Sequence, residues 1–156
     1  TVRIQRILEE KLAILGNKKL IGEKDDDITF DEILELPLIL LNQGLSARAL
    51  TDDGGLLRKI ESRAIMRMNS VQTIIGLVEA GLGCAVGPKI LMEEQVRRGD
   101  IGCRIISGPE LKRTLYLCEM ASTPPTFARE AVCRIILDLI EKAVRSGKWQ
   151  GRFIAV

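Results

Sequence analysis

The chain has 156 residues, 46% hydrophobic and 28% charged, with 23 Lys and Arg against 21 Asp and Glu for a net charge of +2. That length supports one good core or two small lobes. The near-neutral charge and the 3% aromatic content lack the basic stripe and stacking surface of a nucleic-acid-binding domain.

No run of about 18 apolar residues exists, so no transmembrane helix is expected and no membrane partner is assigned. The opening Thr1-Val2-Arg3-Ile4-Gln5-Arg6 shows no apolar signal-peptide region. Histidine is absent, which removes Ser-His and Cys-His nucleophilic arrangements and the usual zinc sites. No catalytic residue, no metal and no cofactor is therefore assigned. The four cysteines, Cys84, Cys103, Cys118 and Cys133, are far apart and each sits in an apolar run. They read as small core residues of a reduced, cytoplasmic chain; a structural disulfide and a reactive thiol are the alternatives.

In chain order, Thr1 to Gly16 reads as an extended lead-in ending in the strand Leu12-Ala13-Ile14-Leu15. Asn17 to Asp27 is polar and reads as a solvated loop. Its carboxylates lack the alternating spacing and glycine turn of a calcium loop. Thr29 is placed to cap a helix from Phe30 to Leu36, with Glu32 three residues on to complete a capping box. Pro37 to Leu41 is a continuous apolar run, the pattern of a strand buried on both faces. Asn42-Gln43-Gly44 is a tight loop, and Ser46 caps a helix beginning at Ala47. Asp52-Asp53-Gly54-Gly55 would ordinarily break that helix. Ala64-Ile65-Met66 is a short strand.

The next unit has every boundary marked. Asn69 or Ser70 can cap a helix whose stripe is Val71, Ile74, Ile75, Val78 and Leu82. Gly81 suits the left-handed closing position, with Leu82 folding back. Cys84-Ala85-Val86 is a buried strand, and Gly87-Pro88 turns the chain into a helix from Lys89 to Arg98. Ile101 to Ile106 and Leu115 to Cys118 are strands around the turn Ser107-Gly108-Pro109. The longest helix opens after Ser122-Thr123-Pro124-Pro125 and ends at Gly147. Its stripe, Val132, Ile135, Ile136, Leu139, Ile140, Ala143 and Val144, keeps an unbroken 3.6-residue period. Alternating strands and helices predict an α/β fold with a largely parallel sheet.

The stretch from Ser70 to Pro88, with Leu77-Val78, Gly81, Gly83 and Pro88 in place, resembles a signature of the effector-binding domain of LysR-type bacterial transcriptional regulators. Leu8-Glu9-Glu10-Lys11-Leu12-Ala13-Ile14-Leu15 resembles a strand of that family. Ile28 to Ile33 followed by Leu36-Pro37-Leu38-Ile39-Leu40 resembles its crossover. Leu45-Ser46-Ala47-Arg48 sits where the family often has a Ser-x-Arg turn, the resemblance favours helix resuming to about Lys59, and Lys112 to Leu117 resembles its returning strand.

That resemblance implies a type 2 periplasmic-binding-protein-like fold with two lobes, the first incomplete. Residues 1–36 and 113–156 would form the partial first lobe and residues 37–112 the second, with crossings near Leu36-Pro37 and Lys112-Arg113. It also implies a C-terminal portion of a regulator whose helix-turn-helix and opening strands lie elsewhere. A small metabolite, an anion by expectation, would bind between the lobes and alter DNA binding of the whole protein. The partners implied are that effector, DNA through the N-terminal domain only, and a second copy in a homodimer or homotetramer. The candidate ligand-binding residues are Asn42, Gln43, Gly44, Leu45, Ser46, Asn69, Ser70, Val71 and Gly87, from loops at strand C-termini. Ser46 and Ser70 can offer hydroxyls beside free helix N–H groups, or act as caps alone. The alternative of another class is a solute-binding protein of a transport system with the same fold.

Overall fold

The computed structural model describes residues 1–42 and 54–155 of the chain. The chain divides into two compact units: unit 1 is Thr1–Glu10 with Thr114–Val156, and unit 2 is Lys11–Arg113.

Unit 2 is built on a six-stranded mixed sheet. Its strands are β2 (Ala13–Gly16), β3 (Ile28–Thr29), β4 (Leu38–Leu41), β5 (Ala64–Met68), β6 (Cys84–Gly87) and β7 (Gly102–Ser107), in the order β3-β7-β2-β6-β4-β5. β4 runs parallel to both β5 and β6. β2 runs antiparallel to β6 and β7. The sheet is therefore parallel only in part, because β2 enters from the opposite end.

Residues on one strand alternate faces, and the apolar runs exploit both. Ile14, Leu38, Leu40, Cys84 and Val86 enter one core cluster. Leu15, Ile39 and Ala85, the residues between them, enter the other. Helices α2 (Phe30–Leu34) and α3 (Gly54–Ser62) cover the first face with Phe30, Ile33, Leu57 and Ile60. Helix α4 (Val71–Glu79) and a 3-10 turn (Lys89–Met92) cover the second with Ile74, Ile75, Val78 and Met92. The strand buried on both faces that Pro37 to Leu41 predicts is thus present.

Local signals place most boundaries. Thr29 Oγ accepts from the Glu32 N–H at 3.2 Å, and Glu32 Oε2 accepts from the Thr29 N–H at 2.9 Å. This is the expected capping box, and the Thr29 backbone bond holds the Glu32 carboxyl below its ordinary pKa. Gly81 takes φ +77 where α4 closes, with the Leu82 N–H donating to Leu77 O at 3.0 Å. The Leu82 side chain stays outside, 56% exposed; the turn fixes its backbone, not its packing. Gly83 has no room for a side chain, since a Cβ there would lie 2.5 Å from Ile39 Cδ1 and 2.8 Å from Pro37 O.

Several expectations change. Residues 17–27 contain a one-turn helix, α1 (Lys18–Ile21), started by Asn17 Oδ1 accepting from the Lys19 N–H at 2.9 Å. Arg104, reaching across from β7, donates to Asp26 O, Asp27 O and Asp26 Oδ1. The acidic loop is thereby held from the sheet. Gly54 and Gly55 open α3, in keeping with the helix to about Lys59 that the resemblance favours. The helix expected from Lys89 to Arg98 splits at Met92, into the 3-10 turn and α5 (Glu93–Arg97).

Unit 1 contains β1 (Val2–Lys11, whose last residue enters unit 2), β8 (Lys112–Met120, whose first two residues leave it), α6 (Phe127–Arg145) and β9 (Gly151–Phe153). The sheet order is β8-β1-β9, with Leu8 opposite Phe153 and Glu10 opposite Gly151. β9 carries no strand signal beyond a short Gly-Arg-Phe run. Thr126 Oγ1 caps α6 by accepting from the Arg129 N–H at 3.1 Å.

The apolar stripe of α6 is left largely uncovered. No residue of that helix is buried, and Val132, Ile135 and Leu139 are more than half exposed. A three-stranded sheet covers only one side of a helix this long. The two large core clusters contain no residue of unit 1.

Residues 11–36 group with 37–113 rather than with the C-terminal segment. The reason is β2, which sits between β6 and β7 in the middle of the six-stranded sheet. Unit 2 ends at Arg113.

Candidate functional site

The three parallel strands β4, β5 and β6 end together, and the C-terminal edge of parallel strands is where α/β proteins bind ligands. Asn42 follows β4, Asn69 follows β5, and Gly87 closes β6. The Asn42 N–H donates to Met68 O at 2.9 Å, which extends the β4–β5 ladder by one bond. The Asn42 side-chain amide donates to the Asn69 side-chain carbonyl. These two candidates therefore bind each other.

Ser70 stands at the N-cap of α4, and its Oγ accepts from the Thr73 N–H at 3.3 Å. Caps of this kind contribute about 1 kcal/mol. Val71 is half-buried in the first turn of α4. Gln43, Gly44, Leu45 and Ser46 lie outside the described residues.

Beside this edge, within unit 2, is a cavity of about 180 Å³. Of the candidates read from sequence, Val71 and Gly87 line it; Asn42, Asn69 and Ser70 are not among its described lining residues. The remaining walls come from Leu12, Ile39, Leu40, Leu41, Leu57, Ile74, Ala85, Val86, Pro88 and Leu91, with the cationic side chains of Lys112 and Arg113. Gly87 keeps one wall open, since a Cβ there would stand 3.2 Å from Leu91 Cδ2.

Sequence reasoning missed Leu12, Leu57, Leu91, Lys112 and Arg113 as lining residues. Leu12 and Leu57 read there only as strand and helix residues, and Lys112-Arg113 only as a crossing. Sheet order brings them to one place; no local pattern announces it.

The chemistry of the cavity is simple. Aliphatic walls exclude water, and one side carries Arg113 and Lys112, the latter 3.7 Å from Glu110 Oε1. Among the described residues no group of His, Cys, Asp and Glu could hold a metal ion. All four cysteines are free thiols. Burial pushes Cys84 and Cys103 up to about 11, so both stay protonated at neutral pH and are poor nucleophiles. The expectation that all four pack as core residues fails for Cys118, which is exposed on β8. No helix among the described residues is long and apolar enough to cross a membrane.

Comparison with known proteins identifies the family. The chain is 33% identical over 88 residues to the "HTH-type transcriptional regulator SoxR" of Arthrobacter sp., an alignment covering 53% of this chain and 26% of that protein. It is 27% identical over 132 residues to the "Probable RuBisCO transcriptional regulator" of Trichormus variabilis, covering 83% of this chain and 39% of that one. The chain thus spans well under half the length of these relatives.

Among solved structures, the regulatory domain of MetR, a LysR family regulator from N. meningitidis, superposes with a TM-score of 0.69 at 16% identity. That match covers 98% of this chain and 68% of the other. The effector-binding domain of QuiR in complex with shikimate superposes with a TM-score of 0.61 at 16% identity, covering 90% and 66%. The fold class is α/β of the type 2 periplasmic-binding-protein kind, as expected. The LysR substrate binding domain family matches residues 1–140, and the chain belongs to that family.

Proposed function

We propose that this chain is the effector-sensing part of a bacterial LysR-type transcription regulator. A small anionic metabolite binds at the C-terminal edge of β4, β5 and β6, and its binding alters how the whole protein engages DNA. The observation that carries this reading is the cavity at that edge, with Lys112 and Arg113 in its wall and Val71 at the start of α4. The first N–H groups of α4 lack helical partners and carry partial positive charge, which adds to the field of the two cations. The curated relatives are transcriptional regulators, which supports sensing over catalysis. The same reading places the protein in the cytoplasm, as a homodimer or homotetramer that meets DNA through a separate domain. A ligand that prefers one conformation shifts the population toward it by its difference in affinity.

The test is a calorimetric titration of the chain with a panel of small carboxylates, on wild type and Ser70→Asp. Aspartate keeps a side-chain acceptor at the cap but adds a fixed negative charge at the edge. It is expected to preserve folding and weaken the bound carboxylate at least roughly tenfold, about 1.4 kcal/mol. Equal affinity in the two proteins places the effector away from α4.

A further inference from the structure

Helix α6 is apolar over more of its surface than unit 1 covers. One edge of its stripe meets the sheet. Ile136, Leu137, Ile140 and Val144 are half-buried, and Glu119 Oε1 on β8 lies 3.5 Å from Arg129 Nε and 3.7 Å from Cys133 Sγ. The other edge turns away. Val132, Ile135 and Leu139 are each more than half exposed, and Ala128 is exposed one turn before them. Ala128, Val132, Ile135 and Leu139 are spaced 4, 3 and 4 residues apart, the alternation that lays one helix along another. The sheet-side residues Arg129, Cys133, Ile136 and Ile140 repeat it one position on. The helix therefore carries two seams side by side, and the sheet takes one.

Charge says what fits the other. Arg134 and Asp138 stand one turn apart along the flank of the exposed seam, on the side away from Ile136. Among the described residues neither makes an ion pair, whereas Arg145 and Glu141 on the same helix pair with each other. An antiparallel second copy about a twofold axis presents the same flank in reverse order. With the axis near Ile136, Arg134 lies opposite the partner's Asp138, and Asp138 opposite the partner's Arg134. Val132 then lies opposite the partner's Leu139. A parallel copy would set the charged flank against the sheet side of its partner, where no such pairing arises.

We propose that the exposed seam of α6 is a contact between two copies of this chain, packed antiparallel about an axis near Ile136 and fixed in register by Arg134 and Asp138. This rests on the homo-oligomer in the reading above and names its contact; it needs no effector. One helix from each copy is a small contact, so the pair forms as concentration rises and the dilute chain is a single copy with the seam in solvent.

Sedimentation velocity over a concentration series tests this on the 156-residue chain, with circular dichroism to check the folding of each variant. Wild type is expected to move from one copy toward two as concentration rises. Ile135→Glu puts a charge at the axis and is expected to abolish that shift. Arg134→Asp and Asp138→Arg each set like charges against one another across the axis and are expected to weaken the pair at least roughly tenfold. The chain with both changes has both charges reversed, so each again meets its opposite, and association is expected to return toward the wild-type constant. If Ile135→Glu does not fold, the three charge variants decide alone. A wild-type chain that stays single at every concentration overturns the proposal and leaves the seam to a partner of another kind. Association that survives Ile135→Glu overturns the α6 contact and leaves the homo-oligomer standing on another face. Association in the doubly changed chain as weak as in the single variants overturns the antiparallel register, and the proposal with it. None of these outcomes bears on effector binding, which the titration above tests separately.

Discussion

Trp149 Nε1 donates a hydrogen bond to Glu10 Oε2 at 2.7 Å, across 139 positions of sequence. Glu10 is fully buried, so this bond helps to satisfy a carboxylate removed from water. Trp149 follows α6 and precedes β9, and β9 pairs with β1 where Glu10 lies. One contact thus ties the C-terminal segment to the start of the chain. Trp149→Phe keeps the ring and removes the donor. It is expected to destabilise unit 1 by about 1–3 kcal/mol, measured as a lowered urea midpoint with unchanged m-value. A midpoint equal to wild type means that the remaining partners of Glu10 suffice.

Two glycines of unit 2 should respond in opposite directions to alanine. At Gly83 a Cβ would meet Ile39 Cδ1 at 2.5 Å and the Pro37 carbonyl at 2.8 Å. A backbone oxygen cannot move cheaply, so Gly83→Ala should cost about 1–3 kcal/mol. At Gly76, inside α4, a Cβ meets nothing within 4 Å. Gly76→Ala should stabilise by about 0.5–1 kcal/mol. Thermal melts of the two variants check both signs.

Helix α6 separates hydrophobic pattern from burial. Leu139 is 60% exposed while Leu38 is fully buried. Leu38→Ala should cost about 2–5 kcal/mol, the range for a core truncation. Leu139→Ala should change stability by less than about 0.5 kcal/mol, as at a surface site. A loss near that of Leu38→Ala would show that α6 packs against something in solution.

The thiols should separate by accessibility. With Cys84 and Cys103 pushed up to about 11 by burial and Cys118 exposed, labelling by an aromatic disulfide at pH 8 should take Cys118 first. Cys84 should react only as the chain unfolds, and mass spectrometry of digested, labelled protein reads the order. Early labelling of Cys84 would contradict its burial on β6.

Sequence alone determined several element boundaries of unit 2. Thr29 with Glu32, Ser70, and Gly81 are signals that act over one helical turn, and each worked as read. The alternating faces of Leu38 to Leu41 and Cys84 to Val86 needed only the two-residue period of a strand. The LysR likeness was equally legible, because its signature lies in those same boundaries. What the tertiary structure decided is everything that depends on strand order. It moved residues 11–36 into unit 2 by seating β2 between β6 and β7. It left Val132, Ile135 and Leu139 in solvent, because periodicity marks an apolar face and says nothing of what covers it. It set Lys112 and Arg113 beside Val71 and Gly87 in one cavity. These residues are up to 42 positions apart, and no pattern shorter than the sheet itself can bring them together.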